Sequence, residues 1–327
     1  MIRWAALVVV VAIAGLGLDA ILSDPESVDE QPVDPDSLYD PIVAGEPFTG
    51  GIRWIVSRDG IRPVYTPGFV DAAESGLGDD DLVIGLRIDN DARAYPVGLL
   101  AAREMVNDWV ADQPVLVSWC PLCGTGAVHR REVNGAPTLF GNQGALWGNA
   151  MTWWDHRTGS IWSQPLGEAI AGPLKGVRLE LLPSSLTEWA AWRSAHPETL
   201  VLDGPVLPSG PNDSNVLVVV FGGEAVAGYP LQTVQRVLLI NDSVGGMALS
   251  IVATPDGLWN VFAREMGSDV VELTLRGDRL TAESGEWDAV TGRNLDGQAT
   301  DLIRLPAVTA FVDDFHTFWP DGRVREG

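Results

Sequence analysis

Ala92-Arg93-Ala94-Tyr95-Pro96-Val97 returns, loosely, as Ala225-Val226-Ala227-Gly228-Tyr229-Pro230-Leu231. Outward from it, Asn107-Asp108-Trp109-Val110 is met again as Asn241-Asp242-Ser243-Val244, the same distance after its Tyr-Pro. Gly159-Ser160-Ile161-Trp162 aligns with Ser284-Gly285-Glu286-Trp287, and Gly167 and Gly172 align with Gly292 and Gly297. Leu182-Pro183 matches Leu305-Pro306, and Trp189, Trp192 and Pro197-Glu198 match Phe311, Phe315 and Pro320-Asp321. Five landmarks in one order predict two tandem, diverged copies of one module, 50–205 and 216–327, too long for solenoid repeats. The internal match begins near residue 82, and the Gly/Pro/Ser/Asn-rich run 206–215 reads as the linker.

Within each copy the pattern is β-rich with two short helices, which predicts an α+β fold class. Asp81 to Ile88 reads as a strand closed by the turn Asp89-Asn90-Asp91. Leu99, Leu100, Met105 and Val106 suit one face of a short helix ending near Asn107. Val115 to Trp119 is a short apolar strand, and Asn134-Gly135 is a hairpin turn between 127–133 and 138–140. Ser185-Leu186-Thr187-Glu188 fits a capping box opening a helix with Trp189 and Trp192 on one face.

The two cysteines of the chain sit in Trp119-Cys120-Pro121-Leu122-Cys123-Gly124-Thr125. Beyond Thr125 the chain reads as a strand and a hairpin, not the helix that would stabilise a thioredoxin-type thiolate. Pro121 suits the first corner of a tight turn and Gly124 a positive φ, giving a knuckle with both sulfurs on one side. One knuckle supplies two metal ligands, so a closed zinc, copper or iron site needs two more. His129 and His156 are the candidates. The same pair can instead be a redox-active or structural disulfide, or two inert thiols. Asp155 or Arg93 would orient the site. The second copy has Ala253-Thr254-Pro255-Asp256-Gly257 at this place, so it is degenerate, and it reads as shorter where the first has Phe140 to Arg157. His196 and His316, before the closing Pro of each copy, read as structural.

Forty-four acidic residues against 21 basic leave a net charge of −23, which excludes a nucleic-acid partner for want of a positive surface. Two cysteines in 327 residues exclude a disulfide-scaffold protein. Residues 1–22, one arginine and then an apolar run, read as a signal peptide or an N-terminal membrane anchor. Residues 23–49 are an acidic, Pro-rich tether. The expected location is therefore outside the cytoplasmic membrane, secreted or held on its extracellular face, with membrane contact only through the N-terminal segment. The expected partner is a small molecule or an envelope protein.

Taken together, Arg58-Asp59-Gly60-Ile61, Ala92 to Pro96, Asn107-Asp108, Cys120 to Thr125, Phe140-Gly141, Asp155 to Trp162 and Trp189 to Thr199 resemble the domain of unknown function 3179 family. The likeness covers about 50–205 strongly and the second copy weakly. It implies an often exported protein with the knuckle as its hallmark, and no reaction. Two readings stay open: a thiol site that binds a soft metal or cycles as a dithiol, and a non-catalytic envelope module whose cysteines staple a turn.

Overall fold

The computed structural model describes residues 31–35, 51–207 and 215–326. The expected signal or anchor, most of the acidic tether and 208–214 of the linker lie outside the described residues. Among the described residues no helix is long and apolar enough to cross a membrane. The chain is β-rich, 48% strand and 12% helix.

In the first half, β1 (Leu82–Ile88) and β2 (Asp91–Pro96) form an antiparallel hairpin with Ile84 opposite Tyr95. Its turn places Asp89 at φ 51°, a left-handed conformation that Asp tolerates. Pro96 starts α1 (Val97–Arg103), which ends at Glu104 in the left-handed region. The chain then enters β3 (Met105–Val110), β4 (Gln113–Cys120) and β5 (Thr125–Arg130), a three-stranded antiparallel sheet. The helix is thus shorter than the periodicity predicts, and Met105 and Val106 are strand residues. The Asn134-Gly135 turn forms as expected, both residues at positive φ. Beyond it, β6 (Phe140–Trp147), β7 (Ala150–Asp155) and β8 (Ile161–Ser163) pair in sequence. β9 (Ser184–Glu188) returns to pair with β1 and leads directly into α2 (Trp189–Ala195). No side chain caps α2, so Ser185 to Glu188 is a strand rather than a capping box. Periodicity cannot see the pairing with β1 that holds these residues extended.

The second half has elements in a comparable order: β10 (Val216–Gly222), β11 (Ala225–Pro230), α3 (Leu231–Val237), β12 (Leu239–Val244), β13 (Met247–Ala253), β14 (Trp259–Ala263), β15 (Ala307–Phe311) and α4 (Val312–Phe318). Individual hydrogen bonds repeat too. The Tyr95 hydroxyl donates to Asp108 at 2.7 Å, and Tyr229 donates to Asp242 at 2.6 Å. Asn107 Nδ2 donates to the Phe140 carbonyl, and Asn241 Nδ2 to that of Leu273. The Arg131 and Arg264 guanidiniums donate to the carbonyls of Asp108 and Asp242.

These contacts correct the correspondence expected further along. Asp155 accepts from the Thr158 N–H at 2.7 Å, and Asp288 accepts from the Thr291 N–H at 2.7 Å. Trp154-Asp155-x-x-Thr158-Gly159 therefore answers Trp287-Asp288-x-x-Thr291-Gly292, in place of the Trp162–Trp287 match. The stretch Phe140 to Arg157 is no longer than its counterpart. The extra length of the first half lies after the turn, where β9 begins 25 positions past Gly159 and β15 only 15 past Gly292.

The halves pack reciprocally. β15 meets the start of β5: the Thr309 hydroxyl donates to the Gly124 carbonyl and accepts the Gly126 N–H. β9 meets the start of β14: the Ser185 hydroxyl donates to the Trp259 carbonyl at 2.6 Å, and Trp259 Nε1 donates to the Leu186 carbonyl. One core cluster joins Cys120, Cys123, Trp153 and Trp162 to Leu217, Phe315, Phe318 and Trp319 of the second half.

Candidate functional site

Cys120 ends β4 and Cys123 lies in the turn before β5, so hairpin geometry brings them together. They approach to 3.0 Å and are not joined. Both are buried, at 1% and 0% exposure, while Leu122 at the tip of the turn is 52% exposed. The sulfurs therefore face the core and the backbone of the turn faces water. Gly124 closes the knuckle at φ 62°, and a Cβ there would lie 2.6 Å from the Phe311 ring. The expected β-turn knuckle thus forms, and the second half is its lid.

The pair is chemically asymmetric. The hydrogen bond from Cys123 holds the Cys120 thiol below the ordinary thiol range against the effect of burial, with help from the Met151, Cys123 and Leu122 backbones. The same pairing and burial push Cys123 upward, although Thr125 Oγ1 lies 3.2 Å from its sulfur. Of the two, Cys120 is the thiol more easily deprotonated.

The remaining expected site residues do not gather here. His129 lies on β5 four residues beyond Thr125, roughly 13 Å along the strand. It stands edge-on to Trp153, its Nδ1 is buried without a partner, and burial pushes its pKa down to about 3. Among the described residues no group of three or more His, Cys, Asp or Glu could hold a metal ion. Two sulfurs alone do not complete a four-coordinate zinc site.

Asp155 is fully buried and spent on its own turn: besides Thr158, Trp162 Nε1 donates to it at 3.0 Å. Arg93 is ion-paired to Asp91 at 2.6 Å and lies over the Phe69 ring, where it orients no sulfur. Asn107 and Asp108 are occupied by the Phe140 backbone and the Tyr95 hydroxyl.

His156 belongs to a second cluster. It stacks on Trp154 with ring centroids 4.1 Å apart, and the Val33 N–H donates to its Nδ1. Its Nε2 therefore carries the proton and faces the Tyr65 oxygen at 3.0 Å, while the Tyr65 hydroxyl donates to Asp59 at 2.7 Å. Burial and the Arg58 charge push His156 down to about 4, and burial raises Asp59. Arg58 donates to Gln143, Gly159 and Pro35, clamping residues 31–35 over this cluster. In the sequence Asp59 belongs to a motif without a role. Tyr65 carries no signal at all, since neither spacing nor periodicity links position 65 to position 156.

The search of curated proteins and that of solved structures find no match to the chain. The family model described as "Protein of unknown function (DUF3179)" matches residues 58–209, a span that contains Asp59, both cysteines, His156 and α2. Over those residues, just under half of the chain, the protein is similar to the DUF3179 family.

Proposed function

We infer that this is a non-catalytic binding protein built from two copies of one module, acting outside the cytoplasmic membrane, in which Cys120 and Cys123 close as a staple of the knuckle. The observation that carries the reading is the burial of both sulfurs at contact distance, without a third ligand among the described residues. The repeated Tyr–Asp, Asn–carbonyl and Asp–Thr contacts support the two copies. A dithiol that turns over must present a sulfur to its partner, and here both lie under the second copy.

Closure is a thiol–disulfide exchange with a disulfide-bearing oxidant of the envelope. The Cys120 thiolate attacks one oxidant sulfur and expels the other as a thiolate. Cys123 gives its proton to that thiolate, attacks the Cys120 sulfur and releases the second oxidant sulfur as a thiolate, which takes a proton from water. Two thiols are oxidised and one oxidant disulfide is reduced. Because both sulfurs are buried against the second half, the exchange belongs to the chain before its halves dock.

Thiol counting on the denatured protein, paired with metal analysis, tests this. Zero free thiols without metal after secretion is the expected result. Two free thiols with one equivalent of zinc, copper or iron would replace the staple by a metal centre. Two free thiols without metal would leave inert cysteines.

A further inference from the structure

The reciprocal packing of the halves creates two equivalent interfaces, and they are not filled alike. Arg87 on β1 faces Ala92 across the hairpin as Phe221 on β10 faces Val226, so these positions correspond. The His196 N–H closes on the Trp192 carbonyl as that of Trp319 closes on Phe315, so these positions correspond as well. In one interface Phe221 and Trp319 meet at 5.9 Å and join the core that holds the cysteines. In the other, their polar counterparts Arg87 and His196 line an open cleft of about 410 Å3. The opposite wall is the Asp288–Thr291 turn with Arg293 and Asp301.

The cleft carries both signs of charge, but its Arg87 is not paired. Carboxylates outnumber cations two to one in the chain, and the arginines at 93, 130, 178, 193, 264, 279 and 325 each hold one. Among the described residues the Arg87 guanidinium has no ion pair or hydrogen bond. Arg304, outside the cleft lining, donates to the Ser185 hydroxyl. Burial and the Arg87 charge lower Arg304 to about 10, and burial, then the Arg304 and Arg87 charges, push His196 down to about 4 against the opposing charge of Asp288. Asp288 already accepts three hydrogen bonds within its turn. Glu198, Asp288 and Asp301 also line the cleft, yet none of them pairs with Arg87, and an oxyanion would supply the charge-assisted hydrogen bonds that its guanidinium lacks.

We propose that this cleft binds a small organic acid or phosphate through Arg87 and Arg293, with His196 beside them. The proposal deepens the binding-protein reading and rests on it. The volume is that of a small-molecule site. Glu198 and Asp301 on the rim repel polyanions and suit a ligand whose other groups are hydroxyl or ammonium donors.

The test is calorimetric titration of the full chain with inorganic phosphate, L-malate and L-serine, each to about 10 mM. At least one should bind, the phosphate and carboxylate arms showing which acid group is preferred. Arg87→Gln should weaken it at least tenfold. Arg293 is exposed, so Arg293→Gln should fold normally and still weaken binding several-fold. Arg87→Phe with His196→Trp installs the aromatic pair of the other interface and should abolish binding in a folded protein. No heat from any of the three probes, or binding indifferent to Arg87→Gln and Arg293→Gln, would overturn the proposal. A closed cysteine pair with no ligand bound sinks the cleft and leaves the staple standing. Binding with both thiols free does the reverse.

Discussion

The Phe311 backbone N–H donates to the Cys123 carbonyl at 2.8 Å, so the last residue of β15 is tied to the second cysteine from the far half of the chain. The Phe311 ring then lies over Gly124. The knuckle is a joint between the halves as much as a hairpin turn.

Gly124→Ala should therefore destabilise the protein by at least about 2 kcal/mol, since it adds a Cβ at φ 62° and pushes into the Phe311 ring. Denaturant unfolding checks this. Pairing it with Phe311→Leu should recover the steric part and leave the backbone part.

Thr309→Val removes both hydrogen bonds from β15 to the knuckle and strands the Gly126 N–H in the core. The expected loss is about 1–3 kcal/mol. Ser185→Ala, which breaks the reciprocal contact with Trp259, should cost less, since Trp259 Nε1 still bonds to Leu186. Parallel unfolding curves of the two variants decide the order.

Asp155→Ala should lower stability by about 2–4 kcal/mol, because it leaves Trp162 Nε1 and the Thr158 N–H without their buried acceptor. If the cleft ligand is found, its affinity should be unchanged, since Asp155 lies outside the cleft. Calorimetry on the variant tests the second half of the prediction.

The acid limb of the stability curve should be steep. His129, His156 and His196 are held neutral, down to about 3, 4 and 4, chiefly by burial. A histidine with a depressed folded pKa contributes fully above the ordinary imidazole value, and its contribution falls as pH drops through that value toward the folded one. Each adds a slope approaching 1.4 kcal/mol per pH unit, on the order of that limit only for fully buried His129. Unfolding free energies between about pH 7 and pH 4 should fall accordingly, and His129→Leu should flatten the curve. A slope indifferent to that substitution would assign the acid sensitivity elsewhere.

Sequence alone determined the local features whose causes are local. Pro121 and Gly124 make the knuckle, Asn134-Gly135 makes the hairpin, and the strand at 82–88 and the repeated Tyr-Pro and Asn-Asp landmarks stand where the sequence places them. It also located the paired sulfurs, because a C-x-x-C in a turn has little freedom. Tertiary structure decided everything that depends on partners distant in the chain. It held Ser185 to Glu188 extended through pairing with β1, moved His129 and His156 away from the cysteines, and spent Asp155 and Arg93 on contacts of their own. It also made one interface a core and the other a cleft. The substitutions responsible, Phe221 for Arg87 and Trp319 for His196, are single positions with no period or motif to announce them. They acquire meaning when the fold sets the two halves face to face, because burial is a property of what covers a residue.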